Sequence, residues 1–289
     1  MRGGQWQALY LMRGLAARGH TVRLLAPSKS PLLDAARTER FDARPLWLVT
    51  IRAAAAGADL VHAHDARAHT LALFSGKPVV VSRRVGFPIG RGPASFWKYM
   101  QAARLIAVAQ FVENNLVESG IDRRKISVVY DGVPIPQECP TDPGTRSSIV
   151  TLDSSDPGKC AGLVAQAAAL ANVPLVFSRN LERDLQSAAA FVYISQLEGL
   201  GSAALVAMAH GVPVIASNVG GLPEIVEDGV TGLLVRNDPM EIASALTRLR
   251  ESPALASHLG SQGRLRAQEE FSVDRMVAGT IAEYERALG

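Results

Sequence analysis

Two histidines stand two residues apart in Asp59-Leu60-Val61-His62-Ala63-His64-Asp65, at the end of a short apolar run. In an extended chain that spacing places both imidazoles on one side, with His64 nearer the carboxyl end. Two histidines and a carboxylate suggest a metal, yet residues so spaced at a strand end bring no third and fourth ligand nearby. No metal is expected. His64 is then either a group that faces a ligand or a satisfied structural histidine. Arg83 and Arg84 close the next apolar run, and paired guanidiniums suit bidentate capture of phosphate or carboxylate. Beyond them Arg91, Phe96, Trp97, Lys98 and Tyr99 interleave cations with aromatics. That mixture fits peripheral contact with a membrane surface or an acidic lipid-linked acceptor, and equally an ordinary loop and helix face.

The densest constellation runs from Ser195 to Glu224. An apolar, β-branched run (Phe191 to Ile194) ends in a polar, Gly-rich turn holding Glu198, Gly199, Leu200 and Gly201. A small-residue helix follows over Ala203 to Ala209, then a buried strand over Val212 to Ala216, then a second Gly-rich turn with Gly220, Gly221 and Glu224. Two strand-to-helix turns of the same sense form the kind of crevice in which open α/β sheets bind ligands. Glycines admit close approach of backbone to phosphate, and a helix N-terminus offers free N–H groups to an anion. Glu224 suits the capping of its own helix.

These residues need a frame, and the chain supplies one. Gly3-Gly4 opens a helical pattern through Trp6, Leu9, Met12 and Leu15, ending at Gly19. Strand-like runs recur at Thr21 to Ala26, Leu46 to Ile51, Asp59 to His62, Pro78 to Ser82, Leu105 to Val108 and Ile126 to Tyr130. They resume at Ser148 to Leu152, Leu175 to Ser178, Phe191 to Ile194, Val212 to Ala216 and Gly232 to Val235. A helix is expected between Leu181 and Ala190. Strands alternating with helices predict an α/β protein with mostly parallel sheets. The Pro/Gly-dense stretch around Tyr130 to Gly144 reads as a linker, dividing residues 1–135 from 136–289. The chain ends in helices, one with Ile242, Leu246 and Leu249 on a face, another with Val273, Val277, Ile281, Tyr284 and Leu288.

With 289 residues, 48% apolar and 20% charged, the composition is that of a soluble globular protein. No apolar run reaches the roughly 18 residues of a membrane span, and the N-terminal residues lack the apolar region of a secretory signal. A net charge of +3 is too mild to imply nucleic acid. Cys139 and Cys160 lack metal-ligand spacing and read as free thiols of a reducing compartment.

The Ser195–Glu224 stretch resembles the donor-site signature of retaining glycosyltransferases of the GT-B fold, of the E-x7-E, family 4-like type. Glu198, the Gly199-Leu200-Gly201 turn, Ala207-Met208-Ala209, Gly211 through Ser217, Gly220-Gly221 and Glu224 all fall in place. The second Glu of the pair does not, because position 206 is Val. The opening Gly3-Gly4 and the run ending at His64 are similar to the same family. The resemblance implies two Rossmann-like domains facing a central cleft, with the final helix (about 272–288) crossing back to the first. It implies a leading strand, here either upstream of Met1 or lost, and about 40 further residues between Leu170 and Phe191.

The implied activity is retaining transfer of a sugar from a nucleotide diphosphate sugar to a hydroxyl on a glycan or lipid-linked acceptor. No cofactor is expected. His64 and Glu198 would serve catalysis, facing the sugar. Gly3, Gly4, Lys159, Gly199, Leu200, Gly201, Gly221 and Glu224 would bind the donor, and Arg83 and Arg84 the acceptor. The family's diphosphate Arg is absent from Val150 to Lys159. The turn after Ser82 suggests envelope polysaccharide or lipopolysaccharide assembly, and the implied location is the cytoplasm, with contact to the inner face of the membrane through residues 83–99. With Val206 and the absent Arg, the alternative is a non-catalytic GT-B relative acting as a binding or accessory subunit. Oligomeric state is not legible.

Overall fold

Strand after strand of this chain is apolar on both faces, the pattern of parallel sheets covered on each side. The computed structural model describes residues 1, 3–48, 51–90, 92–137 and 147–289. These divide into two compact units, residues 1–132 with 273–289, and residues 133–272. The break falls three residues before the one expected from the linker, and the last helix belongs to the first unit. Cys139, Arg91 and the Thr141 to Gly144 part of the linker lie outside the described residues.

In the first unit, helix α1 (Gly3–Ala17) precedes β1 (Arg23–Ala26), α2 (Pro31–Thr38) and β2 (Asp42–Pro45). There follow α3 (Ile51–Ala55), β3 (Val61–Ala63), α4 (Ala66–Ala72), β4 (Val79–Arg83), α5 (Pro93–Met100), β5 (Arg104–Ala107), α6 (Gln110–Glu118) and β6 (Ile126–Val128). All pairings are parallel, but there are two sheets: β1-β2, and β3-β4-β5-β6. Among the described residues none pairs with the second edge of β1 or of β3. Of the strand expected over Leu46 to Ile51, residues 49 and 50 lie outside the described residues, and Leu46 to Leu48 are not in a strand. The chain pairs earlier, through Asp42 to Pro45, where Asp42 meets Arg23 of β1 at 2.6 Å and Arg44 at 2.7 Å, and Ile51 already opens α3.

The second unit holds β7 (Ser148–Leu152), α7 (Ala161–Leu170), β8 (Leu175–Ser178), α8 (Leu181–Asp184), β9 (Ala188–Tyr193) and α9 (Ser202–Ala209). It continues with β10 (Val214–Ser217), α10 (Leu222–Ile225), β11 (Leu233–Val235), α11 (Pro239–Glu251) and α12 (Pro253–Glu270). One parallel sheet runs β11-β10-β9-β7-β8. Ile149, Val192, Ile215 and Leu233 pack under Val164 and Ala167 of α7 and Ile242, Leu246 and Leu249 of α11. The helix expected to Ala190 stops at Asp184. Ala188 and Ala190, fully buried, extend β9 beside β7, so tertiary pairing overrides the helical preference of alanine. Helix α12 gives little sequence signal because its buried face includes Gly260 and Gly263. A Cβ on Gly260 would lie 2.4 Å from the carbonyl oxygen of Gly211, so the helix backbone itself packs there.

Helix α13 (Val273–Leu288) packs on α1, β4 and β5 of the first unit. A Cβ on Gly14 of α1 would lie 2.4 Å from Val277, so only glycine admits this approach. Buried Glu283 accepts from Arg104 at 2.7 Å and pairs with Arg286. Removing one partner of a buried pair strands the other charge. Glu283→Ala is therefore expected to lower the unfolding free energy by about 3 kcal/mol, measured by urea denaturation, and an unchanged midpoint would refute this anchoring.

Candidate functional site

In the second unit the candidate residues gather at the carboxyl ends of β7 and β9. Lys159 ends a short 3-10 turn (Pro157–Lys159) after β7, and Glu198 follows β9 by five residues. Their side chains form an ion pair, 23% and 12% exposed. Tyr193, the last residue of β9, joins them. Its hydroxyl accepts from Lys159 Nζ at 2.6 Å and donates to Glu198 Oε1 at 3.0 Å, while the ammonium lies 4.7 Å from the ring centroid. Burial pulls the Lys159 pKa down to about 8, since desolvation disfavours the ammonium. Burial likewise pushes the Tyr193 phenol above its usual range, so it stays protonated as a donor.

The turns beside this pair are built backbone on backbone. Gly220, with φ of +57°, would place a Cβ 2.1 Å from the carbonyl oxygen of Glu198, and Gly221 would place one 2.2 Å from that of Gly199. Gly221 N donates to Glu198 O at 3.2 Å. These glycines are thus required by the contact between the two turns, whatever else approaches them. Gly201 has φ of +104° and no room beside Leu222, so it opens α9 without a side-chain cap. Leu200 is buried beneath the turn. A polar ring ties the strand ends together. Ser195 N donates to Ser217 Oγ at 2.9 Å, Ser217 Oγ to Asn237 Oδ1 at 2.6 Å, and Asn237 Nδ2 to Ser195 O at 2.9 Å. Ser195 Oγ and Gln196 N both donate to Gly158 O, at 3.1 and 2.8 Å, which fixes the turn carrying Lys159. Val206 lies half-buried on α9, and its carbonyl accepts from His210 Nδ1 at 2.8 Å. The Glu224 carbonyl accepts from Arg266 at 3.1 Å.

In the first unit the rings of His62 and His64 lie against each other at a 36° tilt, with centroids 4.1 Å apart. His62 is bonded on both nitrogens, Nδ1 to Tyr284 Oη and Nε2 to Ser82 Oγ, each at 2.8 Å. Burial, then the nearby Arg84 charge, takes its pKa to about 3. The same burial, with His62 and Arg84 adding, holds His64 well below the usual imidazole range. The two arginines diverge. Arg83 donates to Tyr99 Oη at 2.6 Å and Phe87 O at 2.5 Å and lies over both rings. Arg84 pairs with buried Asp131. The turn holding Asp131 is fastened to α1 by Gln7, which donates to Gly132 O at 2.9 Å and accepts from Gly132 N at 3.1 Å. Gly4 stands in the first turn of α1 with room for a Cβ 3.5 Å from Arg84 Cδ, and exposed Gly3 begins the helix. Among the described residues no group of three His, Cys, Asp or Glu could hold a metal ion, and no helix is long and apolar enough to cross a membrane.

Sequence reasoning missed Tyr193, Asp131, Gln7, Tyr284 and the Ser195–Ser217–Asn237 ring. Tyr193, a polar-tipped residue ending an otherwise apolar strand, carried the one usable signal.

Known proteins point the same way. Residues 1–136 match the family model Glycosyltransferase Family 4, and residues 154–252 match Glycosyl transferases group 1. Over 96 residues, 32% of this chain and 23% of the relative, the sequence is 44% identical to an MMP alpha-(1->4)-mannosyltransferase of Mycolicibacterium hassiacum. Over 159 residues, 51% of this chain and 34% of the relative, it is 36% identical to a D-inositol 3-phosphate glycosyltransferase of Streptomyces griseus. The chain spans about a third or less of the length of these two relatives. Its fold aligns with the crystal structure of Anabaena HepE in complex with UDP and glucose, at TM-score 0.83 and 16% identity, covering 98% of this chain and 96% of that one. Sucrose-phosphate synthase from Thermosynechococcus elongatus aligns at TM-score 0.71 and 19% identity, covering 96% and 91%. The fold is GT-B. A glycosyltransferase family model also matches part of each half of the sequence.

Backbone packing makes a direct test. Gly221→Ala is expected to destabilise the second unit by about 1–3 kcal/mol through overpacking. Gly162→Ala on α7, where a Cβ meets nothing within 4 Å, is expected to be neutral or to stabilise by up to about 1 kcal/mol. Equal thermal shifts for the two would contradict this account of the paired turns.

Proposed function

We propose that the chain is a retaining glycosyltransferase that moves a sugar from a nucleotide diphosphate sugar to a hydroxyl acceptor. The observation that carries this reading is the Lys159–Tyr193–Glu198 cluster at the carboxyl ends of β7 and β9, beside two interlocked glycine turns. An ammonium there suits a diphosphate, and the neighbouring carboxylate suits sugar hydroxyls. Gly199, Leu200, Gly201, Gly221 and Glu224 complete the donor side, with Gly3 and Gly4 at the N-terminus of α1. His64 faces the sugar. Stabilisation of the leaving diphosphate is electrostatic, and the departing diphosphate takes the acceptor proton, with no side-chain nucleophile and no metal.

On the acceptor side we place Arg83 and Arg84. In the same stretch of chain Phe87, Phe96 and Trp97 are 57%, 40% and 58% exposed, which suits a lipid-linked acceptor or the inner face of a membrane. The lipopolysaccharide outer core galactosyltransferase WaaB shares the fold at TM-score 0.61, which supports a role in envelope glycan assembly. Val206 favours a second reading, a non-catalytic relative, because valine offers no acceptor to a hydroxyl at the position the family gives to glutamate.

Calorimetric titration with UDP, GDP, UDP-glucose and GDP-mannose separates the two. Micromolar binding is expected for one base, and silence across the panel from folded protein would overturn donor binding. Lys159→Ala is expected to weaken binding about ten- to a hundredfold, the value of a charge-assisted hydrogen bond. The ammonium binds the diphosphate, and its pKa lies near 8. Affinity is therefore full below that pH and falls by up to about tenfold per pH unit above it. Constant affinity from pH 7 to about 9.5 would remove Lys159 from the site.

A further inference from the structure

The sheet of the second unit ends in two edge strands, β8 and β11, and they are finished differently. On β11 the carbonyl of Val235 accepts from Asn218 N at 3.0 Å, so Leu234 turns its amide the other way. Asp228 Oδ1 accepts that outward amide at 2.9 Å. The edge at β11 is thus closed by a side chain of its own unit. On β8 the carbonyls of Pro174 and Ser178 accept from Ile149 N and Asp153 N, each at 2.9 Å. Backbone groups two residues apart in a strand point the same way. Leu175 and Phe177 therefore direct both N–H and C=O away from β7, where among the described residues no strand pairs with them.

Natural sheets blunt an open edge with a charge, a proline or a bulge. On β8 none of these serves. The missing N–H of Pro174 falls on the β7 side, so the proline does not block the outer edge. Val176 and Phe177, on opposite faces by alternation, are both exposed. From Ala161 to Ser178 no residue is charged. Arg179, the first charge beyond, is paired with Asp153.

We propose that β8 pairs with β8 of a second copy of this chain, antiparallel about a two-fold axis at Val176, so that two sheets become one. Two features select this partner. With the β11 edge closed, head-to-tail pairing of β8 on β11 is blocked, and like meets like. A two-fold contact also sets every group near the axis against its own copy, and an uncharged stretch does so without repulsion. The ladder places the axis. Antiparallel residues bond only where both point at each other, so Leu175 faces Phe177 of the second copy, twice by symmetry. Val176 meets its own copy in the closer, non-hydrogen-bonded position between them. These are the aliphatic, β-branched and aromatic cross-strand pairs that stabilise sheets. An axis at Phe177 would instead set Leu175 against Arg179.

Sedimentation equilibrium of the full chain reads the association. Edges this short bury less than a standard interface, so a dissociation constant of about 10–100 μM is expected. A monomer at every concentration up to about 1 mM overturns the dimer. Val176→Lys brings two ammoniums face to face on the axis and is expected to weaken the dimer about tenfold or more. An undiminished dimer of the folded variant overturns the placement of the contact. Phe177→Lys, which sets an ammonium against Leu175, gives the same reading should Val176→Lys not fold. Oxidation of chains that also carry Cys139→Ser and Cys160→Ser reads the register. In Val176→Cys the two thiol-bearing residues stand opposite each other, with Cα atoms about 4.5 Å apart and within disulfide reach. In Phe177→Cys they lie on a diagonal of about 7–8 Å, beyond that reach. A covalent dimer is expected from Val176→Cys and not from Phe177→Cys. The reverse overturns the axis at Val176, and a covalent dimer from neither overturns the pairing.

Discussion

The second unit depends on one close contact, the backbone of Gly220 and Gly221 lying against the carbonyls of Glu198 and Gly199. No side chain intervenes, so the two turns behave as a single rigid piece. Its position is set by the sheet, since β9 and β10 are adjacent and in register from Phe191 and Val214 onward. Glu198 inherits that rigidity. Its carboxylate therefore meets Lys159 and Tyr193 with little conformational freedom left to lose, and an ordered charge costs less to use than one that must first be fixed. The Ser195–Ser217–Asn237 ring extends the same constraint to β11 and to the turn before α7.

The first unit solves a related problem by side chains. Gln7 satisfies both backbone groups of Gly132 and so holds Asp131, Asp131 holds Arg84, and Arg84 lends its field to His64 and His62. Gln7 and Asp131 are buried and Arg84 partly so, and each is answered by the next, which is how a polar interior avoids the cost of stranded groups. The two atoms that break the pattern, on His64 and Arg84, stand at the end of the chain of contacts.

Much of this was legible in order of residues alone. The bounds of β7 and β8 follow from apolar runs, and the two glycine turns from their glycines and helix starts. What the sequence hides is why those glycines are there. Positions 199 and 221 are distant along the chain, and only the parallel register of β9 and β10 makes them touch. Tyr284 and Ser82 meet His62 across separations of 222 and 20 residues for the same reason. Helix α12 stayed invisible because glycine carries no apolar signal, and the alanines of β9 misled because local preference yields to burial. The divergence of Arg83 and Arg84, adjacent in sequence and engaged with different partners, follows from the alternation of side chains at the end of a strand.

The placement of α13 also bears on how the chain is made. Residues 133–272 form one uninterrupted unit, whereas the first unit needs residues 273–289 as well. A ribosome releases chain from the amino end, and units fold as they emerge. The second unit is complete before α13 appears, while Arg104 waits for Glu283, His62 for Tyr284 and Gly14 for Val277. During that interval the apolar flank of α1 and the strands beneath it are uncovered. The nascent first unit is thus the stretch that a chaperone has reason to hold, and it closes last although it is synthesised first.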